Sequence, residues 1–386
     1  MRAKALAKIA ASALRRPLQT ASLLTTEPSA QPSLVEAVRR AADWLLMAQE
    51  RSIDGDGYAR MFSLIRGWDR GYIETTGYII TTLLDAGALL GDGKYRESAL
   101  RAGEWLLTVQ SEDGSFPEID SGSAQAFDTG QVMLGLNRLA VELADERYLA
   151  STVRAAQWLL DNQEEDGCWR RVAYNERPHA YYTRVAAAML HAGQLAGSDT
   201  LVAGAIKNLE WSLSQRGENG YYRYSEFKPG EDALLHTLVY ILEGFVMAHE
   251  LTGEARWADA AVEGVRTLGR LVDKDGLLRS QYSPEWKATN PEICVTGLAQ
   301  YAGACFDAAR LSGDASLIEA GVKPLKYLAA RQILKGEDMI GAVPSSLPVW
   351  GYYGGMELFN WNMKFFIDAV LKSGLAVGAT GANPVR

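Results

Sequence analysis

The chain repeats a two-helix pattern six times, and this repeat restricts its fold more than any other feature of the sequence. The outer-helix anchors are separated by 61, 53, 53, 57 and 59 residues: Trp44, Trp105, Trp158, Trp211, Leu268 and Tyr327. A Gln follows most anchors, and an acid or Asn with Gly comes next, as in Gln163 and Asp166-Gly167. Because Gly tolerates positive φ, Asp-Gly and Asn-Gly favour tight turns. Each turn therefore predicts the end of a helix.

A second helical pattern lies between each turn and the next anchor, over residues 74–90, 128–144, 180–196, 233–251, 293–311 and 358–372. These segments are apolar on nearly all sides, which is typical of buried helices, whereas the anchor helices carry charge on one side. Six such pairs predict an all-α (α/α)6 toroid, with six inner and six outer helices in one domain over residues 35–375. An open superhelical array is the alternative. Closure is favoured because the inner set stays apolar up to Phe365, Phe366 and Ile367.

Charge and cysteine content argue against several functional classes. The 386 residues carry 39 basic and 47 acidic side chains, a net charge of −8, whereas duplex nucleic-acid binding needs a basic surface. The three cysteines, Cys168, Cys294 and Cys305, form no disulfide framework and suit a reducing compartment. The sequence contains no apolar run of about 18 residues, the length that a membrane-spanning helix needs. We therefore expect a cytoplasmic protein.

The N-terminal segment has a different charge from the remainder of the chain. Residues 1–26 contain five basic side chains, and the first acid is Glu27. We expect residues 1–34 to form a basic tail that is either disordered or a peripheral helix. In the helical alternative, Leu6, Ile9 and Leu14 line one face of a basic amphipathic helix that contacts an anionic membrane. Residues 376–386 are predicted to be a flexible C-terminal tail.

Polar residues at the starts of the inner helices predict a site at one end of the toroid. The connections from outer to inner helices are long and all open at that end, where functional loops are expected. Glu74 and Asp128 are the candidate general acid and base, because burial separates the pKa values of paired carboxyls. The structural alternative is that each acid only caps its helix and complements the helix dipole.

Two histidines add a second candidate set at the same end. His179 and His236 fall at inner-helix starts, and Tyr240 lies one turn after His236 on the same helical face. The two histidines suit proton transfer. The alternative for each is a histidine of the core whose hydrogen bonds are satisfied.

Aromatic and cationic residues near the same end suit an acidic sugar. Flat rings suit sugar faces, and guanidinium matches carboxylate in a bidentate geometry. The predicted substrate-binding residues are Tyr72, Tyr182, Arg184, Trp286, Gln300, Trp350, Tyr352, Trp361 and Lys364. The alternative is loop packing and scattered surface charge. Neither a metal nor a cofactor is predicted, since HExxH, CxxC and EF-hand patterns are missing from the sequence.

One segment resembles a known scaffold device. The run from Arg154 to Trp169 is similar to the QW repeat of terpenoid cyclases and of the prenyltransferase β-subunit toroid. This resemblance implies that Gln and Trp tie an outer helix to its turn. The Asp-x-Asp-Asp acid of squalene-type cyclases is missing, and no His follows Cys294 to complete a prenyltransferase zinc set. The resemblance therefore concerns the scaffold.

Six motifs in order carry a second resemblance over residues 35–373. They are Tyr72–Ile80, Phe127–Gln131, Pro178–Ala186, His236–Tyr240, Cys294–Gln300 and Asn360–Phe366. They resemble α/α-toroid proteins of bacterial exopolysaccharide and surface-glycan gene clusters, which are similar to six-hairpin glycosidases, polysaccharide lyases and sugar epimerases. The resemblance implies a glycan context. Leu298 departs from the pattern, where Asn is expected.

The leading hypothesis is a glycan-processing enzyme that hydrolyses a bacterial polysaccharide or oligosaccharide containing uronic acid, with Glu74 and Asp128 as acid and base. The first alternative is proton abstraction at C5 of a uronate, as in a lyase or epimerase, by His179, His236 and Tyr240. In that mechanism Arg184 holds the carboxylate. A non-catalytic glycan-binding protein of polysaccharide assembly and a terpenoid cyclase-like enzyme are the remaining alternatives.

Overall fold

The computed structural model describes residues 2–25, 28–29 and 33–376, and α-helices joined by long connections form most of this part of the chain. The helices are α1 (Arg2–Arg15), α2 (Pro17–Leu24), α3 (Leu34–Glu50), α4 (Ile73–Leu90), α5 (Gly93–Val109), α6 (Ala126–Leu143), α7 (Glu146–Asp161), α8 (Thr183–Ala196), α9 (Asp199–Ser214), α10 (Leu235–Thr252), α11 (Ala255–Gly269), α12 (Val295–Ser312), α13 (Ser316–Ala329) and α14 (Asn360–Ser373).

The helices after α2 form two concentric rings. The inner ring contains α4, α6, α8, α10, α12 and α14, and each inner helix packs against the next, with α14 returning to α4. The outer ring contains α3, α5, α7, α9, α11 and α13, each packed on inner helices. The predicted (α/α)6 toroid is confirmed, and the open array is wrong because the last repeat contacts the first.

Glutamine side chains at the ends of outer helices connect neighbouring repeats. Gln163 Nε2 donates to Gly167 O in its own turn, at 2.8 Å, and to Gly204 O of α9, at 2.9 Å. Gln49 and Gln110 make the equivalent bonds to the following outer helices. Gln332, which follows α13, donates to Gly341 O and to Ala37 O of α3, both at 2.8 Å. The same device thus stabilises the turns after α3, α5, α7 and α13 and joins the last repeat to the first, whereas Gln215 after α9 donates within its own helix end.

Glycines let the inner helices approach closely near the end that carries the site. A Cβ at Gly77 would lie 2.3 Å from Val132 Cα, and one at Gly130 would lie 2.8 Å from Val185 Cα. The threonine before each glycine holds a loop, since Tyr58 N donates to Thr76 Oγ1 and Phe116 N donates to Thr129 Oγ1, both at 3.0 Å. These Thr-Gly pairs therefore fix the positions of the helix N-termini that carry Glu74 and Asp128.

Short strands within the long outer-to-inner connections form a collar around this end. They are β1 (Met61–Ser63), β2 (Gly67–Trp68), β3 (Ala233–Leu234), β4 (Gln281–Tyr282), β5 (Ala288–Asn290), β6 (Ile293–Cys294), β7 (Ser346–Leu347) and β8 (Glu357–Phe359). They pair antiparallel in the orders β2-β1-β8, β3-β4-β5 and β6-β7. Because β1 pairs with β8, the collar joins the first and last repeats, as the helical rings do.

The N-terminal segment forms two helices that dock on the collar. Lys8 Nζ donates to Gly355 O at 3.4 Å, and Arg16 donates to Leu64 O at 3.3 Å. Leu23 is buried. Ile9, which was expected on one face with Leu6 and Leu14, packs against the core instead, while those two leucines are exposed. Of the predicted C-terminal tail, residues 377–386 lie outside the described residues. Over the ranges that the structure describes, no helix has the length and apolarity needed to cross a bilayer.

Candidate active site

A cavity of about 570 Å³ opens at the collar end, above the N-terminal ends of the inner helices. Its aromatic lining is Tyr72, Tyr78, Phe127, Tyr174, Tyr181, Tyr182, Phe227, Tyr240, Tyr353 and Trp361. Its polar lining is Glu74, Glu118, Ser121, Ser123, Gln125, Asp128, Asn175 and His236. The cavity therefore combines flat rings with carboxyl, amide and hydroxyl groups, a composition that suits a sugar.

Two carboxyl groups stand on neighbouring inner helices at the cavity wall. Glu74 is the second residue of α4, and Asp128 is the third residue of α6. Asp128 is only 6% exposed, and its Oδ1 has no hydrogen-bond partner within the described chain. Glu74 is half-buried, because one side of its carboxyl faces the cavity. An oxygen without a partner inside a cavity is available to a ligand or to a proton.

Burial raises the pKa values of both carboxyls. It raises the pKa of Glu74 to about 7, against smaller lowering effects from the Tyr72 hydroxyl and from Arg184. Burial, and then the negative charge of Glu74, hold the pKa of Asp128 well above its usual range. Interacting groups titrate as a pair. The pair therefore retains a proton near neutral pH, as acid–base chemistry requires.

A chain of hydrogen bonds beneath the cavity floor orients His236. His236 Nδ1 lies 2.5 Å from Gln300 Oε1, and Gln300 Nε2 donates to Glu243 Oε2 at 3.2 Å. Because the amide nitrogen is already used as a donor, the Nδ1–H must donate to Gln300. Nε2 is then unprotonated, and burial lowers the pKa of His236 to about 3. His236 and Tyr240 are in ring contact at 4.2 Å and both line the cavity.

The two cations expected to hold a uronate carboxylate lie below the floor instead. Arg184 donates to Glu243 Oε2 at 2.5 Å and to Gln131 Oε1 at 3.0 Å. Lys364 Nζ donates to Asp368 Oδ2 at 2.5 Å. Neither side chain lines the cavity, and Gln300 reaches it only through His236. Each cation is buried against an acid of its own and lies outside this cavity, so the geometry does not support the uronate role predicted for Arg184 and Lys364, which stays a prediction.

His179 lies behind the aromatic wall and does not line the cavity. Its ring is 4.7 Å from that of Tyr181 and 5.3 Å from that of Tyr182. Its Nε2 bonds to Tyr174 O at 2.8 Å, and burial lowers its pKa to about 4. Its Nδ1 is buried and has no hydrogen-bond partner within the described chain. His179 therefore lies behind the wall with one ring nitrogen bonded, and its catalytic role stays a prediction.

Three predicted aromatic contacts lie in the collar loops away from the cavity. Trp286 Nε1 donates to Asn219 O at 3.0 Å, and its ring packs against Tyr221. Trp350 and Tyr352 are 38% and 58% exposed. By contrast, Tyr72, Tyr182 and Trp361 do line the cavity. The failed predictions share one cause: each residue lies in a long loop, whose path the helical repeat does not determine.

Several lining residues were not among the predicted site residues. Glu118 and Gln125 come from the connection between α5 and α6, and Tyr174 and Phe227 come from the next two connections. Glu118 is positioned by Ser121, whose backbone N–H donates to the Glu118 carboxylate at 2.7 Å. The length of these connections was the only available signal, because no periodic pattern marks their residues.

A group of possible metal-ligating side chains lies elsewhere, in an outer turn. Glu164, Asp166 and Cys168 are within reach of one another. Arg170 already pairs with both carboxylates, at 2.5 and 2.7 Å, and burial raises the pKa of Cys168 to about 12. The two carboxylates of this turn are therefore used in ion pairs with Arg170, which stabilise the turn.

Comparison with solved structures identifies the architecture. Over 88% of this chain and 96% of the other, it superposes on unsaturated glucuronyl hydrolase specific for heparin, with a TM-score of 0.72 and 15% identity. A sugar epimerase from a ruminal bacterium gives 0.70 at 12% identity over 87% and 98%. A polysaccharide lyase gives 0.65 at 11% identity over 90% and 98%. The chain has the six-hairpin glycosidase-like α/α-toroid fold. At these identities the likeness shows the fold alone.

Sequence comparison adds one distant relative. The chain is 24% identical over 277 residues to squalene–hopene cyclase of Zymomonas mobilis. The match covers 63% of this chain and 40% of the cyclase, so the toroid spans less than half of that relative. No family model matches the chain. The match agrees with the QW-type turns described above.

Proposed function

We propose that the protein is a carbohydrate-active hydrolase, and that Glu74 and Asp128 carry out acid–base cleavage of a glycosidic bond. The observation that carries the proposal is the buried carboxyl pair at the wall of an aromatic cavity, with the pKa of Glu74 at about 7. The named activities of the structural neighbours, a glucuronyl hydrolase, an epimerase and a lyase, are all carbohydrate chemistry and support it.

The different environments of the two carboxyls assign the role of general acid to one and of general base to the other. Asp128 is the more buried and keeps its proton, so it donates that proton to the glycosidic oxygen as the C–O bond breaks. Glu74 is ionised over a larger part of the neutral range, so it takes a proton from the attacking water. The water oxygen forms the new bond to the anomeric carbon, and the reaction consumes one water molecule.

A second candidate is proton abstraction from a sugar carbon by His236. The unprotonated Nε2, fixed by Gln300, favours it. A pKa of about 3 makes His236 a weak base, however, and catalysis is strongest when the pKa lies near the working pH. Hydrolysis by Glu74 and Asp128 is therefore the preferred proposal. The polar part of the lining, including Ser121, Ser123 and Asn175, disfavours terpenoid cyclisation, which needs a dry cavity.

Replacing either carboxyl tests the hydrolase proposal. Glu74→Gln and Asp128→Asn preserve shape, remove the acid and base, and should each lower the hydrolytic kcat by a factor of roughly 100 to 10,000. Thr81→Ser, a conservative change farther along α4, is the control and should leave kcat unchanged. Hydrolysis that survives both replacements would contradict the proposal. Binding without turnover by the unaltered protein would favour the non-catalytic alternative.

We also propose that α1 and α2 contact an anionic membrane surface beside the cavity mouth. Leu6, Leu14 and Leu18 are 66%, 86% and 82% exposed, while the opposite side of these helices packs on the collar. Residues 1–26 contain no acid, and Lys4 and Arg15 are exposed. Apolar and basic groups together favour the interface of anionic lipids. A cytoplasmic setting in bacterial exopolysaccharide metabolism is part of the same proposal.

A further inference from the structure

The ionisable lining of the cavity is acidic. Glu74, Glu118 and Asp128 reach it, while no Lys or Arg lines it within residues 2–25, 28–29 and 33–376. His236 adds no positive charge near neutral pH, because burial lowers its pKa to about 3. A ligand in the cavity thus meets carboxyl groups without a cation among its immediate neighbours.

The cations near the wall are already paired. Arg60, which lies 5.7 Å from the ring of Tyr72, pairs with Asp69 and Asp120, at 2.8 and 2.6 Å. Arg177 pairs with Glu226 at 2.8 Å, and Arg184 pairs with Glu243 at 2.5 Å. A uronate carboxylate would enter beside like charges and lose its hydration without gaining a free cation. That exchange is strongly unfavourable.

The cavity also holds hydrogen-bond acceptors that need donors. Asp128 Oδ1 and Gln125 Oε1 are buried and have no partner in the described part of the chain. A buried acceptor without a donor costs free energy, which a ligand N–H or O–H can recover. An ammonium group carries three donors, no acceptor and a positive charge. It therefore matches both the empty acceptors and the carboxyl charge.

The aromatic wall favours the same kind of group. The ring centres of Tyr72 and Trp361 are 6.2 Å apart with an angle of 55° between the ring planes, and those of Phe127 and Tyr240 are 5.5 Å apart. Ring faces attract cations through their quadrupole, and walls of several rings are a recurring way to bind ammonium groups. Rings combined with carboxyls thus complement a sugar that is flat and positively charged.

We propose that the cavity binds a glycan whose sugar carries a protonated amino group, and that it rejects uronates. The inference rests on the proposed hydrolase function, and it replaces the acidic substrate expected from the sequence by a cationic one. The amine is held by Glu118 and the orphaned acceptor Gln125 Oε1, so that the protonated Asp128 stays available as the acid and the sugar ring lies against the aromatic wall.

Calorimetric titration of the full chain tests this inference without requiring turnover. The probes are β-1,4-linked oligomers of glucosamine, glucose and glucuronate, of equal length, at a pH where the amine is protonated. The glucosamine oligomer should bind roughly tenfold or more tightly than the glucose oligomer, and the glucuronate oligomer most weakly. Raising the salt concentration should weaken only the binding of the glucosamine oligomer, because screening acts on charge pairs.

A variant pair assigns the charge effect to the cavity. Glu118→Gln keeps an acceptor for the Ser121 backbone N–H and hydroxyl, loses the one for the Asp120 backbone N–H, and should reduce the preference for glucosamine roughly tenfold. Glu112→Gln, at an exposed residue of the preceding turn, is the matched control and should leave the preference unchanged. If Glu118→Gln does not fold, the salt dependence of the unaltered protein remains the deciding measurement.

Two results would overturn the inference. One is glucuronate binding as tightly as glucosamine, and the other is equal binding of glucose and glucosamine with no effect of salt or of Glu118→Gln. Failure of the hydrolase proposal has a different signature, since the glucosamine oligomer would then bind with the stated preference but remain uncleaved. Conversely, cleavage of the glucuronate oligomer would support hydrolysis while overturning the substrate class.

Discussion

At the scale of single residues, the proposed function depends on two carboxyls, one buried and one half-buried, at the wall of a cavity open to a ligand. Each occupies the first turn of an inner helix, where a carboxylate would ordinarily be stabilised by the helix dipole. Burial outweighs that stabilisation and raises both pKa values. The site is therefore made by depth in the toroid rather than by a sequence motif for catalysis.

The raised pKa values predict a bell-shaped dependence of kcat/KM on pH. Glu74 must be ionised to act as base, so activity should fall as the pH drops below about 7. Asp128 must be protonated to act as acid, so activity should fall again as the pH rises past its own elevated pKa. A plateau that extends into acid, down to the ordinary carboxyl range, would contradict this division of roles.

Folding stability provides a second test of the Glu74 pKa. A carboxyl whose pKa is about 7 in the fold and 4.5 when unfolded binds its proton more tightly in the fold. Its contribution to stability is therefore lost as the pH rises from about 4.5 to about 7. Urea unfolding should show this loss in the unaltered protein and a smaller one in Glu74→Gln. Identical pH profiles would contradict a raised pKa.

Sequence reasoning found part of this site. Glu74 and Asp128 stood out because each is a polar residue in an otherwise apolar inner helix, so both were placed at the cavity end. Arg184 stood out for the same reason, but its partner Glu243 is 59 residues away on α10, and no local pattern announces such a pair. Glu118 and Gln125 were not predicted, because loop residues follow no periodic pattern of apolar and polar side chains.

At the scale of elements, the turn after each outer helix is the recurring unit of stability. Gln163→Ala should destabilise the fold by about 1–3 kcal/mol, because it removes two hydrogen bonds, to Gly167 O and Gly204 O, and leaves Asn208 Nδ2 as the side-chain donor to Gly167 O. Chemical denaturation measures the loss. Gln157→Ala, on the exposed face of α7, is the matched control and should cost much less. Equal effects would mean that the turn bonds contribute little.

The N-terminal helices make a prediction of their own. Replacing Leu14 and Leu18 by Glu should abolish cosedimentation of the full chain with vesicles containing anionic lipid, because charge opposes insertion of that face. Ile53→Glu, at a 73% exposed apolar side chain outside these helices, should not affect binding. Vesicle binding that survives the Leu replacements, or a dimer broken by them, would contradict membrane contact.

The helices were predictable to within a few residues, and the strands were not. The periods of apolar residues and the Gly turns mark helix ends directly, as at Gly91 after α4. The strands span only two or three residues, and some pair across long separations, such as Phe62 with Leu358. The β1–β8 pair depends on ring closure, which brings together residues that are far apart in the chain.

At the scale of the whole molecule, closure of the two helical rings converts the repeated helix pairs into a toroid with a cavity at one end. The inner ring supplies a rigid floor with buried ion pairs beneath it, and the collar supplies the wall and rim. The closed ring was predicted because six apolar helices need mutual burial and leave no cap for an open end. Cationic residues were predicted at the cavity end, whereas its ionisable lining is acidic. The difference arises because the sequence does not show which acids neutralise Arg184, Lys364 and the rim cations.

The reaction proposed for the cavity is tested most directly by the isotope content of the reaction product. Oligosaccharides would be incubated with the protein in heavy-oxygen water containing deuterium oxide, and the products examined by mass spectrometry. Hydrolysis by Glu74 and Asp128 predicts one heavy oxygen at the new anomeric end and no deuterium on ring carbons. Deuterium on a ring carbon without cleavage, or an unsaturated product without heavy oxygen, would contradict it and favour proton abstraction by His236.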